Sequence, residues 1–292
     1  MKKILVVAEK DSKNLIALHR ALALAKETNV EIDLVGFVHA PGVDSSDILS
    51  EQEKQKVRQT MIDEKKTWLK EKLKSIKLAN TQLHWEVLWE KSVHLWVIDR
   101  CKQKPYDLVI KTGHRSETLM YTPTDWHLIR QCSAPVMIVS SKKWQKKQCI
   151  MASVDLVTDT PSKIKLNKQV IRQAQKLSEI TGQDVVYVYC VVIPRILSDL
   201  EVLDDKKIVQ KAKQKALHHL SSDYKKFDID VDQVRMIRGS VDKAVNRAAR
   251  KEGADIVVMG TMGRKGIKGK FIGNTAEAVL HNLETDVLTV KI

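Results

Sequence analysis

The chain has 292 residues, 43% of them hydrophobic and 5% aromatic, with 50 Lys and Arg against 36 Asp and Glu and a formal net charge of +14. That length suits two domains, each able to bury its own core, and no apolar run approaches the ~18 residues that a membrane-spanning helix requires. Four scattered cysteines, Cys101, Cys132, Cys149 and Cys190, form no Cys-x-x-Cys pair and no His/Cys ligand spacing, which argues against a disulfide framework or a structural zinc and for a reducing cytoplasm.

The opening stretch, Met1 to Glu9, has two lysines and then an apolar run that Glu9 cuts short. It lacks a small-residue cleavage site and reads as a buried first strand rather than a signal peptide. A second strand is expected over Ile32 to Val38, followed by Pro41 and a polar, helix-rich excursion to about Leu78. Within that excursion Val57, Met61, Trp68, Leu69 and Leu73 make an apolar stripe at helical spacing, so it is an amphipathic helix lying on a sheet. Leu83 to Trp89 alternates, as a strand near a sheet edge does. Ser92 is an N-cap candidate for a helix reaching Cys101, and a fourth strand covers Asp107 to Ile110. Thr122, Pro123 and Asp125 then supply an N-cap, a proline at the first helical position and an acid at the third, a strong helix start that places a negative charge where an anion could sit. A fifth strand follows over Ala134 to Val139.

After a charged linker, Ser140 to Gln148, the same series repeats: strands at Ile150 to Asp155, Asp184 to Cys190 and Val231 to Arg238, Ser240 as an N-cap, a strand at Asp255 to Met259, and a last strand ending near Val290. Residues 1–146 and 147–292 each carry 25 Lys and Arg and 18 Asp and Glu, or +7 apiece. Continuously apolar strands alternating with helices demand a parallel sheet covered on both faces. The chain is therefore expected to form two tandem doubly wound (Rossmann-like or flavodoxin-like) α/β domains of five strands, 1–146 and 147–292. Trp85, Trp89 and Trp96 are expected to fill the core rather than line a pocket. His114, His127 and the pair His218-His219 have no second ligand at metal spacing and read as solvated or capped side chains.

The chemistry concentrates in the second half. Gly260, Gly263 and Gly273 punctuate a basic loop carrying Arg264, Lys265, Lys268 and Lys270, between an apolar strand and a helix whose Asn274 and Glu277 have capping-box spacing. Free N–H groups at a helix start favour anions, and in a doubly wound sheet the loops after the first and fourth strands frame the ligand crevice. Neither a Gly-x4-Gly-Lys-Ser/Thr loop nor a Gly-x-Gly-x2-Gly fingerprint occurs, and no general base, nucleophile and metal ligands converge beside the loop. The expectation is thus a binding protein, not an enzyme, with at most very weak ATP hydrolysis. The +14 charge keeps open an alternative, an RNA- or acidic-ligand-binding module that uses the basic surface.

Two strings, Gly260-x2-Gly263-x9-Gly273-Asn-Thr-Ala-Glu277 and Tyr121-Thr-Pro-Thr-Asp-Trp-His-Leu-Ile-Arg130 with Ser133-Ala-Pro-Val136, resemble the universal stress protein family in its tandem form, over nearly the whole chain. The resemblance implies a sheet of order 3-2-1-4-5, a cytoplasmic location, association through the last strand between the domains or in a homodimer, and a role in stress tolerance. ATP-binding members carry an Asp at the end of the first strand and a Gly-x2-Gly-x9-Gly-Ser/Thr loop, which Asp155, Gly260, Gly263 and Gly273 match. Asn274 replaces the final Ser/Thr, and Thr275 can substitute for it in part. The implied site for ATP, another nucleotide or a small anion comprises Val154, Asp155, Met259, Gly260, Gly263, Arg264, Gly273, Asn274 and Thr275, with Asp155 toward the ribose or adenine and no metal beyond nucleotide-associated Mg. The first half has Glu9, Thr112 and Arg115 at the matching positions and a loop three residues shorter, so no triphosphate site is expected there.

Overall fold

The structure, a computed structural model, describes residues 1–8, 14–26, 29–78, 81–113, 123–145, 148–192, 205–261 and 285–292. The described residues divide into two compact units, the first ending at Ser141 and the second beginning at Lys142.

The first unit contains β1 (Lys3–Val7), α1 (Ile16–Ala25), β2 (Glu31–Val38), a short α2 (Pro41–Asp44), α3 (Glu51–Lys74), β3 (Gln82–Trp89), α4 (Val93–Gln103), β4 (Leu108–Thr112), α5 (Pro123–Gln131) and β5 (Val136–Val139). Its strands pair in parallel in the order β3-β2-β1-β4-β5. The second unit contains β6 (Cys149–Ser153), α6 (Pro161–Thr181), β7 (Val185–Val191), α7 (Asp205–Ser221), β8 (Val234–Arg238), α8 (Val241–Lys251), β9 (Ala254–Gly260) and β10 (Asp286–Val290). Its parallel order is β8-β7-β6-β9-β10. Each unit therefore has the order 3-2-1-4-5 when its strands are counted from its own start.

The central strands are apolar along most of their length because both faces are covered. Ile4, Leu5 and Val6 of β1 and Ile256, Val257 and Val258 of β9 are fully buried, each such side chain contributing roughly 1.5–3 kcal/mol of burial free energy. The outlying strands β3 and β8 are only partly covered, in keeping with the polar residues interspersed among their apolar ones. Helix α3 starts where Ser50 and Glu53 form a reciprocal capping box, and α6 stops at Gly182, whose φ of 70° suits a residue without a β-carbon. Part of the linker belongs to the second unit. There Trp144 donates its indole N–H to Asp286 at 2.8 Å, the Gln145 N–H goes to Asp255 at 2.7 Å, and Gln183 donates to both the Gln145 carbonyl and Asp255.

Three local expectations change. Val231–Gln233 is a 3-10 turn rather than the start of β8, since Asp230 and Gln233 cap each other there. Ser92 and Ser240 precede α4 and α8 without a side-chain cap; the Ser240 hydroxyl bonds the Asp242 carboxylate instead. The tryptophans of β3 and α4 are not core residues: Trp85 is 38% exposed, Trp96 packs edge-on against Phe37, and Trp89 lies beside His39 and Arg58. A strand at the limit of its sheet has no second layer to cover so large a ring.

Candidate functional site

In the second unit β6 and β9 are neighbours, with Ser153 opposite Met259, and the chain leaves them toward β7 on one side and β10 on the other. In such sheets that divergence, beyond the carboxyl ends of the two strands, is where a ligand crevice forms. Val154 and Asp155 follow β6 into it, and Gly260 ends β9 beside them. Val154 is buried and its N–H donates to the Val188 carbonyl at 3.0 Å.

Asp155 is held by its backbone. Its N–H donates to Asn167 Oδ1 at 3.1 Å, and Asn167 Nδ2 donates in return to the Asp155 carbonyl at 2.7 Å and to the Tyr224 hydroxyl at 2.8 Å. Asn167 is buried on the inner face of α6, so this polar cluster fixes the strand end while the Asp155 carboxylate turns outward. That carboxylate is 37% exposed and 3.2 Å from the ammonium of Lys163. Nearby, burial and then the Asp155 charge push the Tyr189 hydroxyl up to about 12, which keeps it protonated and able to donate. Farther along the same loop, Lys215 and then His219 hold Asp159 below the usual carboxylate range. His219 is buried between Asp223 at 2.8 Å and Asp159 at 3.2 Å, the capped rather than the solvated of the two alternatives its sequence left open.

On the β9 side Met259 is buried, and Gly260 has a packing requirement of its own. A β-carbon there would lie 2.6 Å from Leu166 Cγ and Cδ2, so any other residue would force the Leu166 side chain to shift. Thr261 closes the edge by donating its N–H to the Val290 carbonyl at 2.9 Å. The remaining expected site residues, Gly263, Arg264, Gly273, Asn274 and Thr275, lie outside the described residues, as do Glu9, His114, Arg115 and Thr122 of the first half.

The first unit treats the same strand ends differently. Val7 of β1 lies opposite Lys111 of β4, and Lys111 and Thr112 take the positions of Met259 and Gly260. The Lys111 side chain is 9% exposed; its ammonium donates to the Thr112 carbonyl at 2.9 Å and lies 2.7 Å from Asp125 Oδ1, outside aligned hydrogen-bond geometry. Asp125 is fully buried in the first turn of α5. A protein carboxylate thus sits at the helix start, paired with a protein cation, where the second unit has Ala276 in its repeat. Elsewhere His127 stacks on His94 with ring centroids 4.2 Å apart. Among the described residues no group of three or more His, Cys, Asp or Glu is arranged to hold a metal ion, and no helix is long and apolar enough to cross a membrane.

Sequence reasoning missed Asn167, Tyr224, Lys163 and Lys111. Two of them carried a signal: Lys111 interrupts the apolar run of β4, and Asn167 falls on the apolar stripe of α6.

Two doubly wound α/β units, each reversing its strand order beside its first strand, define a tandem flavodoxin-like protein. The chain belongs to the universal stress protein family, whose sequence profile matches residues 1–140 and 162–291. It is 28% identical over 294 residues to universal stress protein E of Salmonella typhi, covering 99% of this chain and 93% of that protein. A universal stress protein E homolog from Haemophilus influenzae is 25% identical over 300 residues, with 99% and 97% covered. Among solved structures, a functionally unknown protein from Pseudomonas aeruginosa PAO1 superposes with a TM-score of 0.74 at 22% identity, covering 99% of this chain and 92% of that one. A universal stress protein from Archaeoglobus fulgidus gives 0.63 at 14% identity, with 99% and 98% covered. At those identities the superpositions establish the fold alone.

Proposed function

We propose that this protein serves in stress tolerance as a two-unit binding protein with one ligand site, in the second unit, for ATP, another nucleotide or a small anion, and without efficient catalysis. The observation that carries this reading is the contrast between equivalent strand ends. In the first unit the buried Lys111–Asp125 pair satisfies the position internally; in the second, Asp155 presents an exposed carboxylate from a rigid strand end beside glycine.

The residues fit a nucleotide. The Asp155 carboxylate is an acceptor for ribose hydroxyls, Lys163 is an adjacent cation, and the Tyr189 hydroxyl stays protonated. The basic loop from Gly260 to Thr275 offers backbone N–H groups and positive charge to phosphate, with Asn274 in place of a hydroxyl residue. Mg, when present, would arrive with the nucleotide and neutralise phosphate charge. With no P-loop lysine and no base beside the loop, nothing in the sequence drives rapid hydrolysis.

Equilibrium dialysis with labelled ATP, on the wild type and on Gly263→Asp, tests the reading. Saturable binding by the wild type and its loss in the variant are expected. No binding at millimolar nucleotide, or equal binding by both proteins, overturns it.

A further inference from the structure

The four cysteines are not equivalent. Cys149 and Cys190 stand apart on β6 and β7; Cys149 donates its thiol to the Glu252 carbonyl at 3.4 Å, and burial pushes both thiols up to about 11. Cys101, in the last turn of α4, and Cys132, the residue after α5, are instead hydrogen-bonded to each other through their thiols. Their exposures are 6% and 1%. The backbones are also tied at this point, because Ser133 donates its hydroxyl to the Cys101 carbonyl at 3.3 Å and the Cys132 N–H goes to the Leu128 carbonyl at 3.0 Å.

We infer that Cys101 and Cys132 are a modification site, a dithiol that a peroxide converts to an intramolecular disulfide joining α4 to the end of α5. This does not depend on the nucleotide reading. The two thiols are hydrogen-bond partners, and Ser133, next to Cys132, bonds the Cys101 carbonyl, so the fold brings together the two sulfurs that an S–S bond of ~2.05 Å would join. In the first step the Cys101 sulfur, the more exposed of the two, attacks one peroxide oxygen. The O–O bond breaks, the sulfur becomes a sulfenic acid and the other oxygen leaves as water. In the second step the Cys132 sulfur attacks the sulfenic sulfur; the S–S bond forms, the S–O bond breaks, and the hydroxyl leaves as water with the thiol proton. Two thiols are oxidised and one peroxide is reduced to two waters.

The surroundings set the rate. The hydrogen bond that the Cys101 thiol donates to Cys132, and then burial, raise the Cys101 thiol well above the usual thiol range, so little thiolate is present and the reaction is slow. The shortest way in for an oxidant is past the end of α5, where Cys132 to Pro135 lie outside regular structure and Ser133 is exposed. Cys149 and Cys190 have no neighbouring thiol, and a sulfenic acid at either would have no partner with which to condense.

The test is peroxide treatment of the folded full-length chain, followed by alkylation under denaturing conditions and peptide mass mapping. A peptide cross-linked between Cys101 and Cys132, with loss of two of the four alkylatable thiols, is the expected result. The combined variant Cys149→Ser with Cys190→Ser keeps the pair and should still lose two thiols. In Cys132→Ser the cross-link should vanish and a dimedone adduct appear on Cys101. The inference is overturned if the folded wild type keeps all its thiols under peroxide that oxidises the unfolded chain. A cross-link joining another pair or two chains overturns it equally. Should Cys132→Ser fail to fold, the wild type and the combined variant decide between these outcomes.

Discussion

Replacing Lys111 by Met installs the residue that the second unit has at the same position, Met259, and removes the ammonium paired with Asp125. Because Asp125 is fully buried, losing one partner of this ion pair should cost about 3–5 kcal/mol. Asp125→Ala should cost less, since the long Lys111 stem can carry its ammonium toward water. The combined variant, Lys111→Met with Asp125→Ala, reproduces both second-unit residues and removes both charges, so it should be near neutral or more stable than the wild type by up to ~4 kcal/mol. Urea unfolding followed by tryptophan fluorescence reads this directly. Of the six tryptophans, Trp68, Trp85, Trp89, Trp96 and Trp126 belong to the first unit and Trp144 to the second. In a thermal scan the single Lys111 variant should lose roughly 6–20 °C, at ~2–4 °C per kcal/mol for a domain near this size. A Lys111→Met loss under about 1 kcal/mol, or a combined variant as unstable as the two single losses added, would refute the claim that the first site is closed by this ion pair.

Gly260→Ala should destabilise the second unit by roughly 1–3 kcal/mol through overpacking against Leu166, and the cost should shrink in a Leu166→Ala background; a double-mutant cycle in urea measures both. Asn167→Ala leaves the Asp155 backbone and the Tyr224 hydroxyl short of a partner, for a loss of ~1–3 kcal/mol and weaker nucleotide binding by calorimetry. Burial and then the His127 charge hold His94 below the ordinary imidazole range, so between that depressed value and about 6.5 the unfolded chain binds more protons than the folded one. Stability should therefore be level above about pH 6.5 and fall as pH drops through it, and His94→Gln should flatten the fall in urea midpoints; a wild-type midpoint that rises on acidification contradicts the assignment. If the basic surface binds RNA instead, affinity must weaken steeply between low and moderate salt, so a flat salt titration rejects that alternative.

Most of the architecture was written in patterns with a single physical solution. Runs such as Ile4–Val7 and Ile256–Val258 have no polar face, which leaves them only the middle of a sheet covered on both sides, and their recurrence in the second half doubles the fold. Errors came where two local rules competed. Val231 fits a strand by composition, yet Asp230 and Gln233 form a capping box across it and the turn prevails. Ser240 has the position of an N-cap, but Asp242 two residues on offers its hydroxyl a charged acceptor. The candidate site was legible at Asp155 and Gly260, because a carboxylate ending one strand and a glycine ending another announce themselves. Its support was not: Asn167 is 12 residues from Asp155, and Tyr224 is 57 from Asn167. The thiol contact between Cys101 and Cys132 is likewise a product of the fold, as the two side chains come from different helical segments. For Gly260 the sequence suggested close approach of a ligand, whereas contact with Leu166 already favours a glycine there.

The central claim is one ligand site in two units, and the number of nucleotides bound per chain at saturation tests it most directly. Titration calorimetry with ATP should give one per chain for the wild type, one for Lys111→Met combined with Asp125→Ala, and none for Asp155→Ala. Two per wild-type chain, or undiminished binding by Asp155→Ala, would contradict the account.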